Sequence, residues 1–446
     1  CGKVKDAKPI NIILRIELSK LEVLFNKYHR ILIDLLVLFL FLGLSIHPFF
    51  VEEVSYLLVF VKYIARLGLL LYSVKLVYSV FSNIRVNKIA WFLFAVMLLI
   101  IFISIGSILI HDIEDYSSLL VVFIFCFVFL IFYSLLFDNR RILVDPLLVK
   151  YKSTGIKRVL SVLTGVLLLS MFLEIWIKFV PSNRMLYNLL QDDGVIAFAF
   201  RLCGFMLDAN RWALTLLFTI FIYSNIFIKY SFKNKISLYV LGFYLIFTLS
   251  KTAFFIFLFI MLIEVWGMLL KIRLKKIFSF FLIIIMAVVV LNKTGYEFEN
   301  SGLQRRLIFT IESVINPTSS YTVNERKATY YDAITSIKQH PIAGSGYLNF
   351  TAHTASSGAL TIHNTFLALL TYFGLILGPV IFIFIFILPF IFLVFKYGIS
   401  KRLVNLFIIS FVFINLLSVA HDMVSILIFY ITLIVFDITA RIKIKT

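Results

Sequence analysis

Charge is scarce in this chain. Asp, Glu, Lys and Arg together make up 15% of its 446 residues, against 62% hydrophobic, and the mean hydropathy is +1.03. Soluble domains carry about 25% charged residues, so a water-soluble globule is excluded. Cysteine is nearly absent: Cys1, Cys126 and Cys203 stand far apart and, on the topology read below, lie in the cytoplasm, in mid-membrane and outside. That excludes a disulfide framework, and without a Cys-x-x-Cys pair or a His/Cys cluster nothing suggests a metal. Acidic residues number 23 against 42 basic ones, a net charge of +19. In a soluble protein that excess would suggest nucleic acid, but in a membrane protein it holds cytoplasmic loops in place. The chain also lacks a signal with an apolar core. Residues 1–30 instead repeat Ile10, Ile13, Leu14, Leu18, Leu21 and Phe25 at helical spacing among basic residues, the pattern of an interfacial cytoplasmic helix. Because the chain opens on Cys1, a few residues are expected to precede it.

What is present is apolar runs. A helix crossing about 30 Å of hydrocarbon needs roughly 20 apolar residues. Runs near 31–50, 55–81, 89–110, 118–137, 159–180, 212–229, 236–250, 252–270, 277–292, 375–395, 403–420 and 423–440 predict an all-α, polytopic transmembrane bundle of about twelve spans. Basic clusters at Arg140, Arg141, Lys150, Lys152, Lys157 and Arg158, then at Lys271, Arg273, Lys275 and Lys276, mark the cytoplasmic side, which also takes both termini. Trp91, Trp176, Trp212 and Trp266 fall near span ends, where an indole prefers the headgroup layer. The expected organisation is a cytoplasmic amphipathic segment at 1–30, spans one to nine over 31–292 with an outer loop at 181–211, and a large outer loop at 293–362. An interfacial helix with the last three spans over 363–440 and a cytoplasmic tail at 441–446 complete it.

Long outer loops of this kind are usually functional. Within the larger one, Glu325 to His340 has a helical signal, since Ala328, Tyr331, Ala333, Ile334 and Ile337 can share a face. Pro341 stops that helix, and Gly344 and Gly346 permit a tight turn. The stretch from His363 to Phe395 is too long for one ordinary span, and charge puts its ends on opposite sides. The simplest arrangement is a short surface helix from His363 to Phe373, a bend at Gly374 and Gly378 followed by Pro379, then one span.

Chemistry is expected on the outer side. Six of the seven histidines lie there, His47, His111, His340, His353, His363 and His421, and imidazole suits proton transfer near neutral pH. His363 opens the run His363-Asn364-Thr365-Phe366-Leu367 at a helix start, where it serves either as a base for an acceptor hydroxyl or as a water-satisfied polar start. Outer cations are few and run against the positive-inside tendency: Arg184, Arg201, Arg211, Lys251, Lys293, Arg305, Arg306, Arg326, Lys327 and Lys338. A pyrophosphate is their natural partner, because guanidinium forks grip phosphate oxygens; solvated loop charge is the plainer alternative. Lys251 interrupts an apolar stretch at a hairpin turn, where it faces a site or snorkels. Lys62 and Arg66, one turn apart in a span, with Glu174 in a different one, are expected either to face the bundle interior as a buried pair or to line a path for lipid phosphate.

Four segments in order resemble the O-antigen ligase and O-antigen polymerase superfamily of bacterial membrane glycosyltransferases. They are Arg201-Leu202-Cys203-Gly204 with Asp208-Ala209-Asn210; Ser250-Lys251-Thr252; Arg326 to Tyr331 and Ala333 followed by His340-Pro341-Ile342-Ala343-Gly344-Ser345-Gly346; and His363-Asn364-Thr365-Phe366-Leu367 with Gly374-Leu375 and Gly378. At Lys251 members commonly carry arginine, so the fork is lost there and only the charge kept.

The resemblance implies a multispan architecture related to the C-type glycosyltransferase fold. It implies transfer from an undecaprenyl-pyrophosphate-linked oligosaccharide, with inversion and without cofactor or metal, in the bacterial inner membrane with a periplasmic site. It makes His363 the catalytic base or the group that orients the acceptor, places Arg201 and Arg326 on the pyrophosphate with Lys251 as a weaker third, and gives Asn210, Arg211, Asn364 and Tyr330 supporting parts. The bilayer and the lipid-linked glycan are the expected partners, with a chain-length regulator beside them and no nucleic acid. Repeat-unit polymerase is favoured over ligase, since a polymerase needs no second acceptor surface. A lipid-linked oligosaccharide transporter is the alternative of another class, disfavoured by the lack of an internal repeat and by the large outer loop.

Overall fold

Long apolar runs without breakers become helices, because a lipid-embedded backbone has only itself for hydrogen bonds. The computed structural model describes residues 30–41, 56–83, 87–110, 129–134, 142–144, 161–172, 209–227, 240–242, 244–245, 248, 250, 253, 256, 321–345, 362–416 and 423–444. The interfacial helix expected at 1–30, residues 181–208 of the first outer loop and most of the runs between 118 and 292 lie outside these. Helices α1 (Tyr56–Asn83) and α2 (Lys88–Ile110) form on the runs expected at 55–81 and 89–110. They are followed by α3 (Ala209–Phe227), α4 (Tyr321–Gln339), α5 (Thr365–Phe382), α6 (Leu388–Tyr397), α7 (Lys401–Leu416) and α8 (Met423–Arg441). Among the described residues one helical stretch, Thr365–Tyr397, kinked at Gly374, is long and apolar enough to cross a membrane. Exposed apolar side chains such as Phe60, Leu67, Val74, Phe92 and Phe395, the last 84% exposed, fit a lipid-facing surface and not a wet one.

Among the described residues the strands form one two-stranded parallel ribbon. β1 (Ile142–Val144) pairs with β2 (Ile442–Ile444), Leu143 opposite Lys443. Since β2 follows α8 directly, the ribbon joins the loop after residue 141 to the C-terminal end of α8. The same end holds a tight polar knot. Asp437, 3% exposed, accepts from Lys396 Nζ at 3.0 Å and from Tyr397 Oη at 2.6 Å. The C-terminal ends of α6 and α8 therefore lie together, and His363, before the start of α5, is a helix length away from them.

Halfway along, Ile383–Ile387 is a π turn in which the Leu388 N–H reaches Ile383 O. Its cause is Pro389, which has no N–H for the carbonyl of Ile385 four residues back or of Phe384 five back. Two buried tyrosines supply the missing donors: Tyr133 Oη to Phe384 O at 2.6 Å and Tyr430 Oη to Ile385 O at 2.7 Å. Phe129 and Phe132 pack on Tyr430, so the polar repair is sealed in aromatic rings.

At the N-terminal side, Asp34 in the helical stretch 30–41 is buried and accepts from Lys75 of α1 at 2.9 Å. Arg66 corrects an expectation: it is exposed, with its guanidinium 5.9 Å from the Tyr63 ring centre. A tyrosine one turn earlier on its own helix gives the cation a local partner, so burial in the bundle is not required.

Candidate functional site

The site is built where α4 lies along the first limb of α5. Helix α4 ends at Gln339, before Pro341, and presents the stripe Arg326, Thr329, Tyr330, Ala333 and Ile337 at helical spacing, with Thr329 and Ala333 fully buried. The expected face is therefore rotated. Tyr331 and Ile334 point outward, 68% and 46% exposed, because the rows of 326, 330, 333 and 337 keep a truer i, i+4, i+7 progression.

His363 is half-buried between Ile362 and Thr365, both fully buried. Its backbone carbonyl accepts from Tyr330 Oη at 3.0 Å, which ties the loop helix to the start of α5. Burial pushes the Tyr330 hydroxyl above its ordinary pKa of 10.0, and the Arg326 charge one turn earlier pulls the other way. Arg326 is itself half-buried. So Arg326, Tyr330 and His363 are brought together: the cation and the phenol on adjacent turns, and the phenol on the peptide of the imidazole.

Asn364 has an assigned task. It is the N-cap of α5, in extended conformation, and its Oδ1 accepts from the Leu367 N–H at 2.9 Å. It fixes where the helix starts and hence where His363 leaves it. The positive end of the α5 dipole begins at the residue after His363.

Ser250 is buried and its Oγ accepts from the Ala253 N–H at 3.4 Å, while Thr248 turns back onto Leu245 O at 2.7 Å. The helical run is thus broken around 248–250, just before Lys251. Asn210 and Arg211 sit in the first turn of α3, and Trp212 packs edge-on against Tyr244, ring centres 6.0 Å apart, which sets that turn beside the 244–250 break. Arg201 and Lys251 lie outside the described residues.

Sequence reasoning missed Ser345 and Thr371. Ser345 donates from both its N–H and its Oγ to Thr371 O, at 2.8 and 3.0 Å. The glycines flanking this contact in sequence, Gly344 and Gly374, were the available signal.

No curated protein and no solved structure matches the chain. Residues 236–383 match the family model described as O-antigen ligase. That stretch, about a third of the chain, runs from the segment before Ser250 through α4, His363 and the Gly374 kink. On this match the segment holding the candidate site carries the domain of the O-antigen ligase and polymerase superfamily of membrane enzymes.

Proposed function

We propose that the protein is a membrane glycosyltransferase that takes a glycan from undecaprenyl pyrophosphate at the periplasmic face of the bacterial inner membrane and passes it to a sugar hydroxyl, most directly as a repeat-unit polymerase. The observation that carries this reading is the Arg326–Tyr330–His363 arrangement inside the stretch matched to the O-antigen ligase family. In the reaction, an acceptor hydroxyl attacks the anomeric carbon from the face opposite the leaving group. The C–O bond to pyrophosphate breaks and His363 takes the hydroxyl proton. Arg326 meets the charge that develops on the leaving pyrophosphate, joined by Arg201 and Lys251. The donor is already activated, so positioning, cations and one proton acceptor suffice.

A topology of twelve spans with cytoplasmic termini belongs to the same proposal. The parallel pairing of β1 with β2 supports one side for the 140s loop and the C-terminus, and the helix from Thr365 to Tyr397 supports the other side for His363.

The ligase reading, transfer to lipid A core, is favoured by the description of the matched family. Deleting the protein and examining surface glycans separates the two. Single-repeat product is expected for the polymerase, accumulation of lipid-linked polymer indicates the ligase, and unaltered glycans reject both. Complementation with His363→Ala should restore nothing.

A further inference from the structure

The turn after α4 and the kink in α5 exchange hydrogen bonds. In an unbroken helix the Leu375 N–H would bond to Thr371 O, four residues back. Here Leu375 N–H donates to Pro341 O at 2.8 Å, and Thr371 O instead takes the Ser345 N–H at 2.8 Å. The loop turn replaces the missing helical bond on both sides, so the kink leaves neither group unsatisfied. Two glycines permit the approach. Gly374 has φ 74 and ψ −178, a region essentially closed to other residues, and Gly344 has φ 72. A Cβ at Gly344 would strike the Tyr372 carbonyl, and one at Gly374 the Ile342 carbonyl. Both obstacles are backbone and cannot rotate away.

From this contact two arms run back, α4 to Tyr330 and the first limb of α5 to His363, and the Tyr330 hydroxyl closes them at the far end. We propose that the Gly344–Gly374 clasp is the positioning device of the site: it holds Arg326 on one arm against His363 on the other, and makes Gly344, Gly374 and Ser345 positioning residues for the transfer. This rests on the glycosyltransferase reading above. The clasp fixes the angle between the arms, and the tyrosine bond fixes their separation.

The test uses the full chain in lipid nanodiscs with an undecaprenyl-pyrophosphate-linked oligosaccharide donor, and compares Gly374→Ala, Gly344→Ala and Ser345→Ala. Gly398→Ala is the control, because Gly398 has φ 73 with nothing near its would-be Cβ, so it carries the backbone strain without the clasp. In parallel, nitroxide labels at the exposed Lys327 and Phe366 report the distance between the arms by pulsed dipolar spectroscopy, with no need for turnover. A misplacement of about 1 Å costs on the order of 100-fold in rate, so Gly374→Ala should lose about that much kcat, with donor KM held within about 2-fold. Ser345→Ala keeps the backbone bond and should lose roughly 3- to 10-fold, and Gly398→Ala should match the unmodified chain. The distance distribution should broaden in Gly374→Ala and Gly344→Ala and stay unchanged in Gly398→Ala. Wild-type kcat in both Gly374→Ala and Ser345→Ala, or a loss confined to KM, overturns the clasp. If Gly374→Ala fails to fold, Ser345→Ala decides by the same kcat criterion. If the unmodified chain transfers nothing, the glycosyltransferase reading fails, and the label distances judge the clasp by themselves: unchanged distributions overturn it.

Discussion

Tyr330 shows what one hydroxyl does for this site. Its bond to the His363 carbonyl is a neutral hydrogen bond worth about 1 kcal/mol net, and Tyr330→Phe should lower the stability of the docked loop helix by about that much, read by thermal unfolding in detergent. Its pKa lies above the ordinary 10.0 because docking half-buries the phenol. The folded state therefore holds the proton more tightly than the unfolded one. The contribution is complete below pH 10.0 and is lost as pH rises through the raised folded value. Melting followed from about pH 8 to about pH 11 should fall more steeply at the alkaline end in the native chain than in Tyr330→Phe; parallel curves would contradict it. Sequence placed Tyr330 near Arg326 but not against His363, because that contact joins residues 33 positions apart, which no local pattern encodes. Asn364 was legible as a neighbour of the imidazole, yet its side chain caps the helix, a task that any Asn before an apolar helical run can perform.

Elements divide into those whose breakers are visible and those whose repair is distant. The kink in α5 was legible, since Gly374, Gly378 and Pro379 interrupt an apolar run, and the structure bends at Gly374. The residues from Leu375 to Tyr397 then span roughly 35 Å at 1.5 Å each, enough for one crossing of about 30 Å of hydrocarbon. The π turn was not legible. Pro389 is its visible cause, but the donors that make it tolerable, Tyr133 and Tyr430, stand 251 and 45 residues away from the carbonyls they satisfy. Tyr430→Phe should leave Ile385 O without that partner and cost about 1 kcal/mol, seen as a lower unfolding midpoint in detergent; an unchanged midpoint would mean the turn satisfies the carbonyl by itself. The face of α4 was read one step off, because Ile334 and Tyr331 looked as apolar as the residues that dock.

Across the whole molecule, the two ends are chemically distinct. One holds His363, Tyr330 and Arg326; the other holds the β1–β2 ribbon and the Asp437–Lys396–Tyr397 knot. The knot is a buried ion pair, and removing one partner strands the other, so Asp437→Ala should destabilise the bundle by about 3 kcal/mol. The donor KM of the surviving protein should not move, because the knot stands at the far end from the site; a large KM change would contradict that separation. The basic residues led the sequence reading to put the segment after Arg140 and Arg141 on the same side as the C-terminus, and β1 does pair with β2, which holds Lys443. The ribbon itself was not foreseen, because three-residue strands carry too little periodicity to be distinguished from loop.

The measurement that bears most directly on the account is steady-state glycan transfer by the purified full chain in nanodiscs, with a lipid pyrophosphate donor, comparing His363→Ala with Arg326→Ala. If His363 is the proton acceptor and Arg326 holds the pyrophosphate, His363→Ala should lose about 100-fold or more in kcat with donor binding retained. Arg326→Ala should instead weaken donor binding by roughly 10-fold or more. Transfer at the native rate by His363→Ala, or donor binding unaffected by the loss of Arg326, would contradict it.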